Sequence, residues 1–331
     1  MPRTRVIPVL ACLLALAACS NPSATPSPSA SASTTASATP TASATPTASA
    51  KVQDSLDGIR VKGKQLKQPT VTFKTPFVID KTRVEVLDPG TGYKASADGY
   101  VTVHYYGVDG RTGKSFDESY SGGTPATFSL AQVITGFKTG LTGQRAGSRV
   151  VIAMPGADAY DAAGGNSGAG IEVGDTLIFV VDILDVSVTQ PEGAQLTPPS
   201  GLPTVTGGAA DKPTVTIPSS SAPSSMSSTV LIKGSGTKVA KGDTITARYV
   251  GYSWKTGKLI DDGFATPTTG KLSDLIPGWQ SGLVGKPVGS RVLLVLPPDD
   301  GFPKGSNNPP VEAGDTVVYV VDILFTTASA E

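Results

Sequence analysis

Histidine is almost absent from this chain of 331 residues: His104 is the only one, and it lies inside the alternating stretch "YVTVHYYGV". A single histidine in a strand pattern indicates no Ser-His-Asp or Cys-His arrangement and no Cys/His metal cluster. It is expected to face solvent or a neighbouring strand, and no cofactor is expected. Cysteine is nearly as scarce, with only Cys12 and Cys19, both close to the N-terminus. No disulfide framework follows, so packing and binding alone must hold the folded part together. Net charge is missing too, with 27 basic residues against 27 acidic, which gives no sign of a nucleic-acid partner. The apolar stretch from Val6 to Ala18 is too short for a bilayer span, which needs roughly 20 residues.

That stretch, in "MPRTRVIPVLACLLALAACS", follows two arginines and reads as an export signal. Its end, Leu16, Ala17, Ala18 and Cys19 followed by Ser20, resembles the lipobox of bacterial lipoproteins. The resemblance implies a signal peptide over 1–18, lipidation of Cys19 with a fatty acyl group such as palmitate, and anchoring to the outer face of the cell membrane. Cys12 would be lost with the signal. From Ser20 to Ala50 the chain is almost wholly Ser, Ala, Thr and Pro. Such a segment buries too little apolar area to offset backbone ordering, so residues 19–50 are expected to form an extended, disordered stalk open to O-glycosylation.

The remainder repeats. "PTVTF" at 69–73 returns as "PTVTI" at 213–217, "VTVHYYG" at 101–107 as "ITARYVG" at 245–251, and "TGKSFD" at 112–117 as "TGKLID" at 256–261, each 144 positions on. The offset then falls to 142 for "VITGFKTGL" at 133–141 and "LIPGWQSGL" at 275–283, and to 140 for "GDTLIFVVDIL" and "GDTVVYVVDIL". Two homologous domains follow, 51–188 with an N-terminal extension and 229–327, joined by a Pro/Ser/Thr-rich linker over 189–228 that is partly ordered at most. "VTFKTPFVI" has strand character and is a candidate extra strand on the first domain. Within each unit the period is mainly two, in runs of β-branched and aromatic residues bounded by Gly-Asp or Pro. One short helix is expected near Gly136 and again near Gly278, with Phe137 and Leu141, or Trp279 and Leu283, on one face. The glycine before each aromatic is expected to let the chain turn closely. The fold class is therefore α+β, each domain a twisted antiparallel sheet wrapped around one short helix.

The series "VHYYG", "GKSFD", "VITGF", "GSRVVIAMPGADAY" and "TLIFVVDIL" resembles the macrolide-binding immunophilins, the FKBP-type peptidyl-prolyl cis-trans isomerases. The resemblance covers about residues 80–188 in the first repeat and returns in the second with more departures. It implies rotamase activity on X-Pro bonds and a chaperone-like role in protein folding. It assigns Phe137 to the floor of an apolar pocket, Tyr105, Phe116 and Phe179 to its walls, and Val133, Ile134 and Ile171 to its completion. The Ile134 N–H would donate to a substrate carbonyl, Tyr160 would offer a hydroxyl to the twisting region, and Asp117 would be fixed by Tyr105 rather than act as a base. Phe137 stands where most members carry tryptophan, and Ala126 where they carry another aromatic wall. Macrolide binding is accordingly expected to be weaker. The second pocket would comprise Tyr249, Ile260, Asp261, Leu275, Ile276, Trp279, Phe302, Val311 and Tyr319, with Phe302 lacking the hydroxyl of Tyr160.

The partners implied are proline-containing unfolded or secreted proteins, and no oligomer signal stands out, so a monomer is expected. Two other functions compete: a non-catalytic module binding proline segments or envelope proteins, and a cell-surface spacer with decayed domains. An open pocket lined by Tyr105, Asp117, Ile134, Phe137 and Tyr160 would favour catalysis, and Tyr160 buried elsewhere would favour the alternatives.

Overall fold

The β-branched runs pair as antiparallel ladders. In the computed structural model, which describes residues 51–328, strands β1 (Arg83–Asp88), β2 (Tyr100–Asp109), β3 (Ser115–Glu118), β4 (Ala126–Ser129), β5 (Arg149–Met154) and β6 (Leu177–Val186) form one six-stranded sheet. Its order is β1-β5-β6-β2-β3, with β4 also paired to β2. The second domain repeats it with β7 (Ser227–Lys233), β8 (Thr244–Ser253), β9 (Leu259–Asp262), β10 (Thr268–Lys271), β11 (Arg291–Leu296) and β12 (Val317–Thr327), in the order β7-β11-β12-β8-β9 with β10 on β8, and Ala194–Gln195 adds a seventh strand beside β7. The expected signal, Cys19 and the stalk lie outside the described residues.

Each sheet carries one seven-residue helix on its inner face, α1 (Thr135–Leu141) and α2 (Pro277–Leu283). A helix this short is not stable alone and depends on packing. Glycine makes that packing close. A Cβ on Gly136 would lie 2.3 Å from Met154 Sδ, and one on Gly140 would lie 2.6 Å from Ile152 Cδ1. Neither glycine has a positive φ. Its role is thus to let the helix lie against β5, not to turn the chain as the sequence suggested.

Both faces of each sheet are buried. Leu177, Phe179, Val181 and Ile183 point inward to the helix side, while Ile178 and Val180 join Val151 and Ala153 on the outer face. Burial on two faces explains why these strands read as continuous apolar runs. Residues 52–79 cover the outer face of the first sheet with Leu56, Ile59, Phe77 and Ile79 and a hairpin of Arg60–Lys62 with Thr70–Thr72. The segment 189–228, expected to be a linker, contains the matching hairpin, Thr204–Thr206 with Thr214–Thr216. Its Val205 and Val215 pack on Leu293, Val295, Val318 and Val320 of the second sheet.

A buried ion pair pins each hairpin. Arg149 donates to Asp182 through Nε and Nη2, both at 2.7 Å, and to the carbonyls of Gly63 and Lys67, both at 3.0 Å. Arg291 does the same with Asp322 and the carbonyls of Gly208, Ala209 and Asp211. The third partner of the carboxylate differs between the repeats. Tyr120 donates its hydroxyl to Asp182 while stacking on His104, whereas Arg248 donates to Asp322 and lies 4.1 Å over the ring of Phe264. His104 thus occupies the place of Arg248, and Tyr120 that of Phe264, 144 positions apart. The Nδ1 of His104 also lies 3.0 Å from Ser119 Oγ.

The two domains touch directly, and all described residues fall in one compact unit. The Tyr93 ring packs against both inner cores, and its hydroxyl donates to the Glu192 carbonyl while accepting from the Ser235 N–H. Tyr100 stacks on Phe325 at 5.8 Å, and the Val188 N–H donates to the Leu324 carbonyl.

Candidate functional site

The inner face of the first sheet, α1 and the loop after β5 enclose an open cavity of about 250 Å³. Ladder register places its walls: Phe179 on β6 opposes Gly107 on β2, which opposes Asp117 on β3. A Cβ on Gly107 would come within 2.7 Å of Phe116 and 2.9 Å of Phe179. Glycine there lets those rings meet edge to face, with centroids 5.4 Å apart. Phe137, buried at the start of the helix, packs at 4.6 Å on Phe179 and at 6.5 Å on Tyr105.

Polar groups stand at the edge of this apolar cup. Tyr105 donates its hydroxyl to Asp117 Oδ2 at 2.8 Å, and the Glu118 N–H donates to Asp117 Oδ1 at 2.9 Å. Burial, then the Asp117 carboxylate, push the Tyr105 phenol well above the ordinary tyrosine range. Tyr105 therefore stays a neutral donor that holds Asp117 in place. Ile134 precedes the helix with an extended ψ of 148°, and its carbonyl accepts from Phe137 and Lys138. Its own N–H belongs to the set of donors that a helix start leaves without intrahelical partners.

Of the residues expected in the first pocket, Tyr105, Phe116, Asp117, Val133, Ile134, Phe137, Tyr160 and Phe179 line the cavity. Ile171 does not; it is 4% exposed and turned into the inner core. The open side expected at Ala126 is filled instead by Phe128, with Gln132 beside it. Positions 126 and 128 share one face of β4, and Phe128 reaches Phe137 at 6.0 Å. The alternation in "ATFS" was the available signal for that wall.

The second domain holds a cavity of about 280 Å³. Tyr249, Asp261, Leu275, Ile276, Trp279, Phe302 and Tyr319 line it as expected, and Pro309 adds a wall. Ile260 and Val311 instead line a neighbouring depression of about 440 Å³. Trp279 forms the floor between Tyr249 at 5.1 Å and Tyr319 at 5.4 Å, with its Nε1 buried and unpartnered among the described residues. The aspartate is held from the other wall: Tyr319, not Tyr249, donates to Asp261, at 3.2 Å. Burial raises the pKa of both Tyr319 and Asp261. Gly270 occupies the position of Phe128, because it faces Ile245 in the ladder as Phe128 faces Val101.

Among the described residues no cluster of His, Cys, Asp and Glu is arranged to hold a metal, and no helix is long and apolar enough to cross a membrane. What both cavities offer is an apolar enclosure with a few fixed hydroxyl, carboxyl and amide groups.

Comparison with known proteins agrees with this geometry. A family model described as FKBP-type peptidyl-prolyl cis-trans isomerase matches residues 92–184 and 235–324. An "FK506-binding protein" of Streptomyces anulatus is 42% identical over 123 residues, 37% of this chain and 98% of that protein. A "Probable FK506-binding protein" of Corynebacterium glutamicum is 32% identical over 117 residues, 34% of this chain and 98% of that one. The isomerase FkpA of Escherichia coli K12 is 32% identical over 140 residues, 41% of this chain and 50% of its own length. Among solved structures, a peptidyl-prolyl cis-trans isomerase of Pseudomonas syringae aligns with a TM-score of 0.29 and 33% identity over 32% of this chain and 76% of its own. With the family model matching more than half of the chain and spanning the residues that line both cavities, the chain belongs to the FKBP-type peptidyl-prolyl cis-trans isomerase family, in two tandem copies.

Proposed function

We propose that the first domain carries most of the prolyl isomerase activity and that its substrates are X-Pro bonds of exported or envelope proteins. The observation that supports this is the convergence of Tyr105, Asp117, Ile134, Phe137 and Tyr160 on one open cavity. Rotation about the amide faces a barrier of about 18–20 kcal/mol because conjugation keeps it planar. A cavity lowers that barrier by binding the twisted amide better than either planar form. Phe137, Phe116, Phe128 and Phe179 enclose the proline ring and exclude water from the carbonyl. The Ile134 N–H holds a flanking carbonyl, Tyr160 presents its hydroxyl to the twisting region, and Asp117 is positioned by Tyr105. No covalent step is required.

The second domain is better suited to binding than to turnover. Phe302 stands at the place of Tyr160 and removes a donor, while the apolar enclosure around Trp279 is retained. Export and membrane anchoring through Cys19 rest on the "LAAC" motif. On this reading the Ser, Ala, Thr and Pro-rich residues 20–50 join that anchor to the two domains. Catalysis matters because uncatalysed X-Pro isomerisation takes tens to hundreds of seconds.

The test is an NMR exchange or protease-coupled isomerisation assay on the full chain, with Phe137→Ala and Tyr160→Phe in the first cavity and Trp279→Ala in the second. The first two variants are expected to lose most of the activity and the third little; the reverse pattern would move catalysis to the second domain. Cys19→Ser is expected to abolish incorporation of a palmitate analogue and release the protein from membranes.

A further inference from the structure

We infer that the second cavity selects prolyl segments with a lysine or arginine beside the proline, through a side lobe that the first cavity lacks. The inference rests on the reading that this cavity takes proline segments. The lobe arises from substitution at equivalent places in the two sheets. Where Phe128 lines the first cavity and Val103 on β2 lies buried in the core, Gly270 and Ala247 stand in the second and line its cavity. Among the described residues nothing lies within 4 Å of where a Cβ on Gly270 would be. Ile245, Ala247, Thr268 and Gly270 therefore join the lining, and the space runs from Trp279 to β8.

Charge decides what fits there. Asp274, exposed at the rim, replaces Gln132, and Asp261 lies deeper, so the lining holds two carboxyl groups and no lysine or arginine. The cations beside Asp261 and Gly270 are paired or turned elsewhere. Lys212 pairs with Asp262, Arg248 pairs with Asp322, and strand alternation turns Lys271 to the face opposite Gly270. An aliphatic stem lying on Ile245, Ala247 and Gly270 with a cationic head at Asp274 satisfies both features of the lobe. The unpartnered Trp279 Nε1 on the floor is a further donor left by the protein itself.

Intrinsic fluorescence reads this cavity selectively. The chain has two tryptophans, Trp254 and Trp279, both in the second domain, and Trp254 is packed in the outer-face core. Blocked tetrapeptides differing only in Lys, Leu or Glu next to a proline, placed before it in one series and after it in another, are titrated into the full chain. In at least one series the Lys peptide is expected to bind roughly five-fold more tightly than the Glu peptide at low salt, an exposed-pair effect screened by salt. Asp274→Asn is expected to reduce that ratio below about two, and Gly270→Phe to remove the advantage of Lys over Leu. Equal affinities for Lys and Glu peptides in both series, or a ratio unchanged in Asp274→Asn, would overturn the charge selectivity while leaving a proline site intact. If no peptide perturbs the emission, the second cavity is not a proline site and both readings fail.

Discussion

Replacing Arg149 by methionine is expected to damage the first domain more than replacing Arg291 damages the second, although the two arginines are equivalent. Arg149 is 1% exposed and Asp182 fully buried. Without the guanidinium, Asp182 keeps only the Tyr120 hydroxyl at 2.8 Å and the Leu66 N–H at 2.7 Å, and the Gly63 and Lys67 carbonyls lose their donor. Breaking a buried pair from one side costs about 3–5 kcal/mol. In Arg291→Met the carboxylate of Asp322 retains a cation, since Arg248 donates to it at 2.8 Å. The loss there reduces to hydrogen bonds to charged groups, about 1.5–3 kcal/mol. At roughly 4 °C per kcal/mol for a domain of this size, the expected falls in Tm are about 12–20 °C and 6–12 °C. Thermal unfolding separates them, because tryptophan emission reports only the second domain while near-ultraviolet tyrosine signals include the first. A loss in Arg291→Met equal to or larger than that in Arg149→Met would refute the assignment of Arg248 as the substitute partner.

Four further outcomes are expected. Tyr160→Phe should lower kcat/KM on X-Pro peptides by roughly 5- to 10-fold, the worth of one neutral hydrogen bond, and Phe302→Tyr should raise the activity remaining in a Phe137→Ala background. Asp185 is buried at the end of the first sheet, and burial raises its pKa although a hydrogen bond from Thr237 of the second domain opposes this. The native state then binds this proton more tightly than the unfolded chain, so the contribution of Asp185 to stability is fully present below about pH 4 and is lost as pH rises. Asp185→Asn should flatten that part of the urea midpoint-against-pH curve, and an unchanged slope would dismiss Asp185 as its source. Tyr93→Ala removes the ring shared by both cores and the bonds to Glu192 and Ser235; limited proteolysis should then cut the 189–203 segment faster than in the wild type.

The repeat, the antiparallel strands and the short helix were legible because each depends on local periodicity: "TLIFVVDIL" reads as a strand whatever it packs on. Phe137, Tyr105, Asp117 and Tyr160 were legible as a group because their order along the chain carries the family pattern, and the ladders bring them to one cavity. Ile171, Ile260 and Val311 were misplaced because an apolar side chain near a pocket has two equally apolar destinations, and only packing shows whether it faces the cavity, the core or a neighbouring depression. Phe128 was missed for a related reason: the aromatic wall was sought at Ala126, two positions away on the same strand face. Half of the hairpin at Thr204–Thr216 was signalled by the repeat of "PTVTF" as "PTVTI", while its first strand lies in a Pro/Ser/Thr-rich stretch without a strand-length apolar run. The hairpin's order comes from Arg291 and from the outer face of a sheet formed by residues about 80 to 115 positions later.

Sequence alone determined the main strands of each sheet and that they occur twice, since these follow from nearest-neighbour pattern and residue type, while the chemistry expected of the first cavity came from the family resemblance. Tertiary structure decided that Gly136 and Gly140 serve a close helix–strand contact, that Tyr319 rather than Tyr249 holds Asp261, and that Gly270 opens a lobe where Phe128 closes one. Each of those depends on distances between residues far apart in the chain, and such distances exist only once the sheet has closed on its helix.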